Sequence, residues 1–258
     1  MKERILGYEI ITLSTKDCVT EVFNSLTRSE DNSPCCKWMG CINPHSYAVS
    51  LSDSKFAEAL NAADWVVPDG FGILLASMVF GGKIRERVTG SDVFFELLQR
   101  MNSKGGMSVF FLGSTEFTLE LIQKKMVTDF PNVSIAGTYS PSFKETFPPV
   151  ELEEMINKIN ACKPDVLWVG MTAPKQEKWI YENCSRLNVR FAAAIGAVFD
   201  FYSGQVKRSN PTFQRLGLEW LPRLLQKPSV LWRRMFISAP IFLWHIFMVK
   251  VIGKSRSS

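Results

Sequence analysis

Two hydrophobic patterns alternate along this chain. Short apolar or apolar-alternating runs at 5–13, 37–43, 63–67, 108–112, 133–138, 165–169 and 191–195 predict strands. Between them, apolar positions recur at helical spacing over 17–26, 54–62, 91–102, 116–129, 152–161 and 174–187, with Ser91 as the expected N-cap of the third of these helices. Residues 71–80 are almost wholly apolar and predict a buried helix. Pro44 and the stretch 141–149 predict loops, and Gly105-Gly106, Gly113-Ser114 and Gly170 punctuate the ends of elements. Strands alternating with helices of about ten residues predict an α/β fold, a Rossmann-like parallel sheet with helices on both faces.

The alternation stops near Gly204. Beyond it the chain is basic, aromatic and broken by Pro211, Pro222, Pro228 and Pro240. This predicts a catalytic core over 1–203 and an appendage over 204–258. Within the appendage, 235–249 is an apolar run of 15 residues interrupted by Pro240 and His245. A spanning helix needs about 20 apolar residues, so this run reads as too short to cross a bilayer. Arg233-Arg234 precede it, Lys250, Lys254 and Arg256 follow it, and Trp232, Phe236, Phe242, Trp244 and Phe247 supply aromatics. Those features predict a basic amphipathic helix lying in a membrane interface. The alternative is a buried terminal helix of a soluble protein.

Charge sharpens that division. The net charge of +5 conceals ten Lys/Arg and a single acid, Glu219, from Gly204 onward, so the appendage is +9 and the rest is −4. The expected partner of the appendage is an anionic membrane surface. Nucleic acid is not expected as a partner. Nearly half of the 258 residues are apolar, enough for a full core. Six cysteines show no CxxC spacing and the N-terminal residues 1–7 form no charged-then-apolar signal, so a reduced cytosolic setting is expected. With only His45 and His245 and no cluster of His, Cys or acids, no metal site is expected.

Candidate chemistry gathers at predicted strand exits, where ligand clefts of open α/β sheets lie. Asp69 follows an apolar run in Val67-Pro68-Asp69-Gly70, and Arg87-Val88-Thr89-Gly90-Ser91-Asp92 lies one helix further on. An acid with a nearby arginine suits a base that deprotonates a hydroxyl and a cation that holds an anionic substrate. A capped surface turn is the bland alternative. Gly113-Ser114 opens a helix whose amides suit a phosphate or ribose, with an ordinary βα turn as the alternative. Gln176 lies in the first turn of the helix after Pro174. Gly196 permits close backbone approach, and Asp200 suits ribose hydroxyls or the capping of a turn. GxGxxG, GxxxxGK[ST], GxSxG and Asp-x-Asp are all absent. A diphosphate leaving group here would need cations or helix N-termini, and Arg208, Arg223, Arg233 and Arg234 are the candidates.

Pro68-Asp69-Gly70, Arg87-Val88-Thr89-Gly90, Ala173-Pro174-Lys175-Gln176-Glu177 and Gly217-Leu218-Glu219-Trp220-Leu221-Pro222-Arg223-Leu224 together resemble the WecG/TagA/CpsF glycosyltransferases, in the same order and at compatible spacing. The resemblance implies metal-independent, inverting transfer from a UDP-sugar to a polyprenyl-diphosphate-linked saccharide. It places the enzyme at the cytoplasmic face of the membrane, with the appendage docking there and completing the site. It makes Asp69 the general base, puts Asn43 in the sugar pocket, and sets Arg87 and Gln176 near the sugar and diphosphate. It also assigns a role to Arg223. Cys41 stands where the family usually has Thr, and a thiol is the weaker hydrogen-bonding group. A nucleotide-binding oxidoreductase and a non-catalytic membrane module are the competing classes. The transferred sugar (N-acetylmannosamine, its uronic acid, N-acetylglucosamine or glucose) stays open, as does the oligomeric state, a homo-oligomer included.

Overall fold

A computed structural model describes residues 1–27, 36–206 and 232–255. The chain opens with an antiparallel hairpin, β1 (Lys2–Ile5) and β2 (Tyr8–Ile11). The single strand expected over 5–13 is therefore interrupted. Leu6 and Gly7 take φ of 48° and 96°, the positive values that a two-residue turn matched to strand twist requires.

The core is a parallel sheet of β3 (Lys37–Ile42), β4 (Trp65–Pro68), β5 (Met107–Gly113), β6 (Val133–Tyr139), β7 (Val166–Gly170) and β8 (Phe191–Ala194), in the order β4-β3-β8-β7-β5-β6. Alternate side chains enter two cores. Trp38, Phe110, Leu167 and Ala192 join the one covered by α2 (Pro44–Ser50), α3 (Ser54–Ala62), α7 (Pro149–Cys162) and α8 (Lys175–Asn183). Met39, Phe111, Trp168 and Phe191 join the one covered by α1 (Thr15–Thr27), α5 (Gly90–Lys104), α6 (Glu116–Asp129) and α9 (Val198–Ser203). The two-faced α/β fold is as the alternation predicts.

Chain direction reverses between β5 and β7: β5 leads outward to β6, while β7 leads the other way to β8. The crevice beyond their C-terminal ends is the topological switch point, where such sheets bind ligands. Gly113 and Gly170 are in register across this gap. A Cβ on Gly113, at φ 119°, would lie 2.4 Å from the Gly170 carbonyl oxygen, and one on Gly170 would lie 2.4 Å from the Phe199 ring. Both positions exclude any larger residue.

Two local expectations are corrected. Pro44 starts α2 rather than a loop, because Asn43 caps it and a proline at the first helical position gives up no needed N–H. Thr89, not Ser91, caps α5: its hydroxyl accepts from the Asp92 N–H while the Asp92 carboxylate accepts from the Thr89 N–H. Asp92 is thereby spent on the cap.

The helix expected over 71–80 forms as α4 (Phe71–Phe80), but only one side is buried. Ile73, Ala76 and Ser77 point inward, while Phe71 and Met78 are exposed. At the C-terminus a π-helical turn, Arg234–Ser238, runs into α10 (Ala239–Ser255). The apolar span is 19 residues, Arg234–Ile252, with mean hydropathy 1.9 and 17% of it buried. By length and composition it can cross a membrane, which corrects the shorter 235–249 reading. Pro240 does not break it. A proline ring clashes with the carbonyl four residues back, here Phe236, and that residue lies in the widened turn whose Ala239 N–H reaches the Arg234 carbonyl. Ser238, Phe242 and Ile246, four apart, form the buried stripe. Phe242 packs edge-on to Tyr47 of α2 at 5.4 Å. Trp232, Phe236, Leu243, Trp244 and Phe247 are exposed.

Candidate active site

Beyond the C-terminal ends of β3, β4, β5, β7 and β8 lies a cleft of about 530 Å³. Cys41, Asn43, Asp69, Ser114, Gln176, Gly196 and Asp200 line it together, from strand ends, loops and first helical turns as far apart as 41 and 200 in sequence.

Its first wall is built by Asn43. As the cap of α2, Asn43 accepts through Oδ1 from the His45 and Ser46 N–H groups, at 3.0 and 2.9 Å. That fixes the amide, so Nδ2 turns toward Asp69 and donates to its Oδ2 at 3.3 Å. Asp69 continues the sheet by one residue, its N–H donating to the Ile42 carbonyl at 2.8 Å. Gly70, at φ 94°, then lets the chain turn into α4. The Val88 N–H donates to the Pro68 carbonyl at 3.1 Å, which brings the 87–90 loop to the same edge.

The opposite wall repeats this design. Gln176 accepts through Oε1 from the Met171 and Gly196 N–H groups, at 3.2 and 3.0 Å. These are the exits of β7 and β8. Its Nε2 is left to donate to Glu177 Oε1 at 2.9 Å. Each wall therefore carries an amide locked by two backbone donors and aimed at a carboxylate. Glu177 is 1% exposed, and its Oε2 has no hydrogen-bond partner among the described residues. Burial pushes its carboxyl up to about 7, against the lowering effect of the Gln176 bond.

Cys41 stands between the two carboxylates in electrostatic terms. Burial, then the charges of Asp69 and Glu177, hold its thiol well above the usual range. The thiol donates to the Ala194 carbonyl at 3.7 Å. A neutral thiol of this kind is no nucleophile at neutral pH.

The C-terminal helix closes one end. Arg234 lines the cleft. His45 Nδ1 lies 2.9 Å from Ser238 Oγ, and Tyr47 Oη lies 2.6 Å from His245 Nδ1. Both histidines of the chain thus tie α2 to that helix. Burial, then the positive charges of Arg234 and Arg233, lower His45 to about 4, so its imidazole is neutral at pH 7.

Three expected residues, Arg87, Gly113 and Arg233, do not line the cleft, and each is next or next-but-one to a residue that does. Arg208, Arg223 and the motif 217–224 lie outside the described residues. The sequence puts Glu177 in the same first helical turn as Gln176 but assigns no role to it or to His45. Glu177 was visible only as a motif neighbour of Gln176, and nothing in the sequence marks its burial. Among the described residues no three His, Cys, Asp or Glu side chains group as metal ligands.

Comparison with known proteins bears on this cleft. Residues 3–256 match the model of the glycosyl transferase WecG/TagA/CpsF family. The chain is 32% identical over 201 residues to the N-acetylglucosaminyldiphosphoundecaprenol N-acetyl-beta-D-mannosaminyltransferase of Bacillus spizizenii, covering 78% of this chain and 75% of that one. Proteins of the same name from Bacillus subtilis and Staphylococcus aureus are 29% and 28% identical, covering 75% and 81% of this chain and 73% and 78% of theirs. A match over nearly the whole length, on a sheet whose switch-point cleft gathers Asn43, Asp69 and Gln176, establishes the chain as a glycosyltransferase belonging to the WecG/TagA/CpsF family.

Proposed function

We propose that this enzyme transfers an N-acetylhexosamine, N-acetylmannosamine by analogy with its relatives, from a UDP-sugar to a polyprenyl-diphosphate-linked saccharide, with inversion. The observation that carries the reading is Asp69, held by the locked amide of Asn43 in a cleft that also takes in Arg234. In the reaction the acceptor hydroxyl oxygen attacks the anomeric carbon. Asp69 takes the hydroxyl proton, the bond from that carbon to the diphosphate oxygen breaks, and UDP leaves with the electron pair. General-base assistance of this kind contributes roughly a hundred- to ten-thousand-fold.

Arg234, with Arg208 and Arg223 of the appendage, balances charge building on the diphosphate. The amides at Ser114, which precede α6, suit the nucleotide phosphates or ribose, and Asp200 suits the ribose hydroxyls. No divalent cation is required in this scheme. The enzyme works peripherally at the cytoplasmic face of the membrane. What supports membrane contact is that the C-terminal helix keeps Phe242 and Ile246 on the protein and turns Phe236, Leu243, Trp244 and Phe247 outward, an exposed apolar surface that lipid would cover.

The test is UDP release from a panel of UDP-sugars (N-acetylmannosamine, its uronic acid, N-acetylglucosamine and glucose) with a polyprenyl-diphosphate-linked N-acetylglucosamine acceptor, run in EDTA and again with magnesium or manganese. Turnover of an N-acetylhexosamine donor, undiminished in chelator, is expected. No release from any donor overturns the reading, and strict metal dependence overturns its cation-free leaving-group chemistry.

A further inference from the structure

Helix α4 inverts the usual pattern of a helix at a protein surface. Between Phe71 and Phe80 it carries one polar side chain, and that one, Ser77, lies on the buried side, where its hydroxyl accepts from the Ile84 N–H at 3.1 Å. A water-facing helix turns its polar residues outward. The outward stripe here is Phe71, Leu75 and Met78, four and three residues apart on one face. Phe71 and Met78 are 56% and 65% exposed. Beside it runs α10. A Cβ on Gly72 would lie 3.4 Å from the Phe242 ring, and Lys250 Nζ donates to the Val79 carbonyl. At about 1.5 Å per residue these contacts are about 10 Å apart along α4 and about 12 Å apart along α10, so the two helices lie side by side and point the same way. The stripe of α4 thus adjoins the apolar span Arg234–Ile252, little of which is buried. Cations edge this surface. Lys83 and Arg85 are exposed just past the C-terminal end of α4, where Lys250 also reaches, and Arg233 and Arg234 are exposed at the start of the span. The acids nearest Lys83 and Arg85, Glu3 and Glu86, are engaged by the N–H groups of Lys83, Ile84 and Thr15.

We propose that α4 is a second lipid-facing helix, whose Phe71, Leu75 and Met78 enter the hydrocarbon of an anionic membrane beside α10. The inference rests on the membrane reading of the C-terminal helix and extends it to the catalytic core. An apolar surface edged by cations matches acyl chains edged by anionic headgroups. A symmetric pair of chains would instead set those cations against their own kind. The consequence is depth. Only Gly70 separates Asp69 from the first residue of α4. Seating α4 in lipid therefore fixes the height of the base above the bilayer that anchors a polyprenyl acceptor.

The experiment uses the full chain and vesicles of phosphatidylcholine and phosphatidylglycerol without acceptor. The photo-reactive residue p-benzoylphenylalanine is placed at 71 in one variant and at 78 in another, and the products of irradiation are read by mass. Phospholipid adducts are expected at both positions. Their absence at either position overturns the proposal, whether a second copy, residues 207–231 or nothing is captured instead. In a second arm Met78→Asp is compared with Val127→Asp, an apolar position on α6 that is 71% exposed. Met78→Asp is expected to lower vesicle partitioning roughly ten- to a hundredfold and to keep the parent melting temperature. It should slow turnover of a vesicle-borne acceptor and leave that of a water-soluble, short-chain acceptor unchanged. Val127→Asp is expected to change none of these. Parent-like partitioning of Met78→Asp, or equal losses in the two variants, overturns the proposal as well. If the parent itself does not partition, the membrane reading falls together with this one. If the parent turns over no acceptor, the transfer reading fails, and the adducts and the partitioning still decide the role of α4.

Discussion

Glu177→Gln should stabilise the ligand-free enzyme, and only above acidic pH. Burial lifts the carboxyl from its ordinary 4.5 to about 7 in the folded chain. Between those values the folded state holds a proton that the unfolded state has released, so stability falls as pH rises through this window. Above pH 7 both states are ionised, and the folded state carries a charge it cannot solvate. The interval spans about 2.5 pH units, on the order of 3 kcal/mol at about 1.4 kcal/mol each. Glutamine can still accept from Gln176 Nε2 and never ionises, so the penalty disappears. For a chain of this size that amounts to a Tm gain of about 6–12 °C at pH 8. At pH 4.5, where the parent carboxyl is protonated in the fold, the gain should be near zero. The assay is calorimetry of parent and variant from pH 4.5 to 8, with the difference in Tm plotted against pH. A difference that is flat in pH, or that grows toward acid, would refute the reasoning. It would mean that the carboxylate is already compensated, as by a cation from 207–231.

Two further outcomes follow from the site. Asp69→Asn should keep UDP binding and melting temperature and lose roughly a hundred- to ten-thousand-fold in turnover, since an amide cannot take the acceptor proton; near-parent turnover would remove Asp69 as the base. Deleting residues 235–258 should leave circular dichroism of the α/β core in place and abolish co-sedimentation with anionic liposomes, and a truncated chain that still sediments would place the membrane contact elsewhere.

How much of this was legible in the sequence depends on which interactions are local. The sheet was legible because the burial of β5, β7 and β8 on both faces writes itself as continuous apolar runs such as Val109–Leu112 and Phe191–Ile195. The positions of Asp69, Asn43 and Gln176 were legible because strand exits in a parallel sheet share one edge. The hairpin at Leu6-Gly7 was not, since an apolar turn residue leaves no polar gap. The α2 helix was hidden behind Pro44, which reads as a breaker unless the preceding Asn43 is recognised as a cap.

What stayed hidden is long-range pairing. The sequence reads Asn43 as a pocket residue, and the structure makes it a helix cap as well: because Oδ1 is consumed by the cap, Nδ2 has one direction left, toward Asp69. Gln176 obeys the same constraint through two amides 25 residues apart in sequence. Neither orientation can be found from residue type, because each depends on donors supplied by a different loop. The consequence reaches function. A carboxylate held by an amide that is itself a helix cap is tied to the integrity of α2, and α2 is the surface on which the C-terminal helix sits through Tyr47, His45 and Phe242. The seat of that helix and the placement of Asp69 therefore share one structural element. If lipid draws the C-terminal helix away from α2, the cap at Asn43 is the first element of the site exposed to the change.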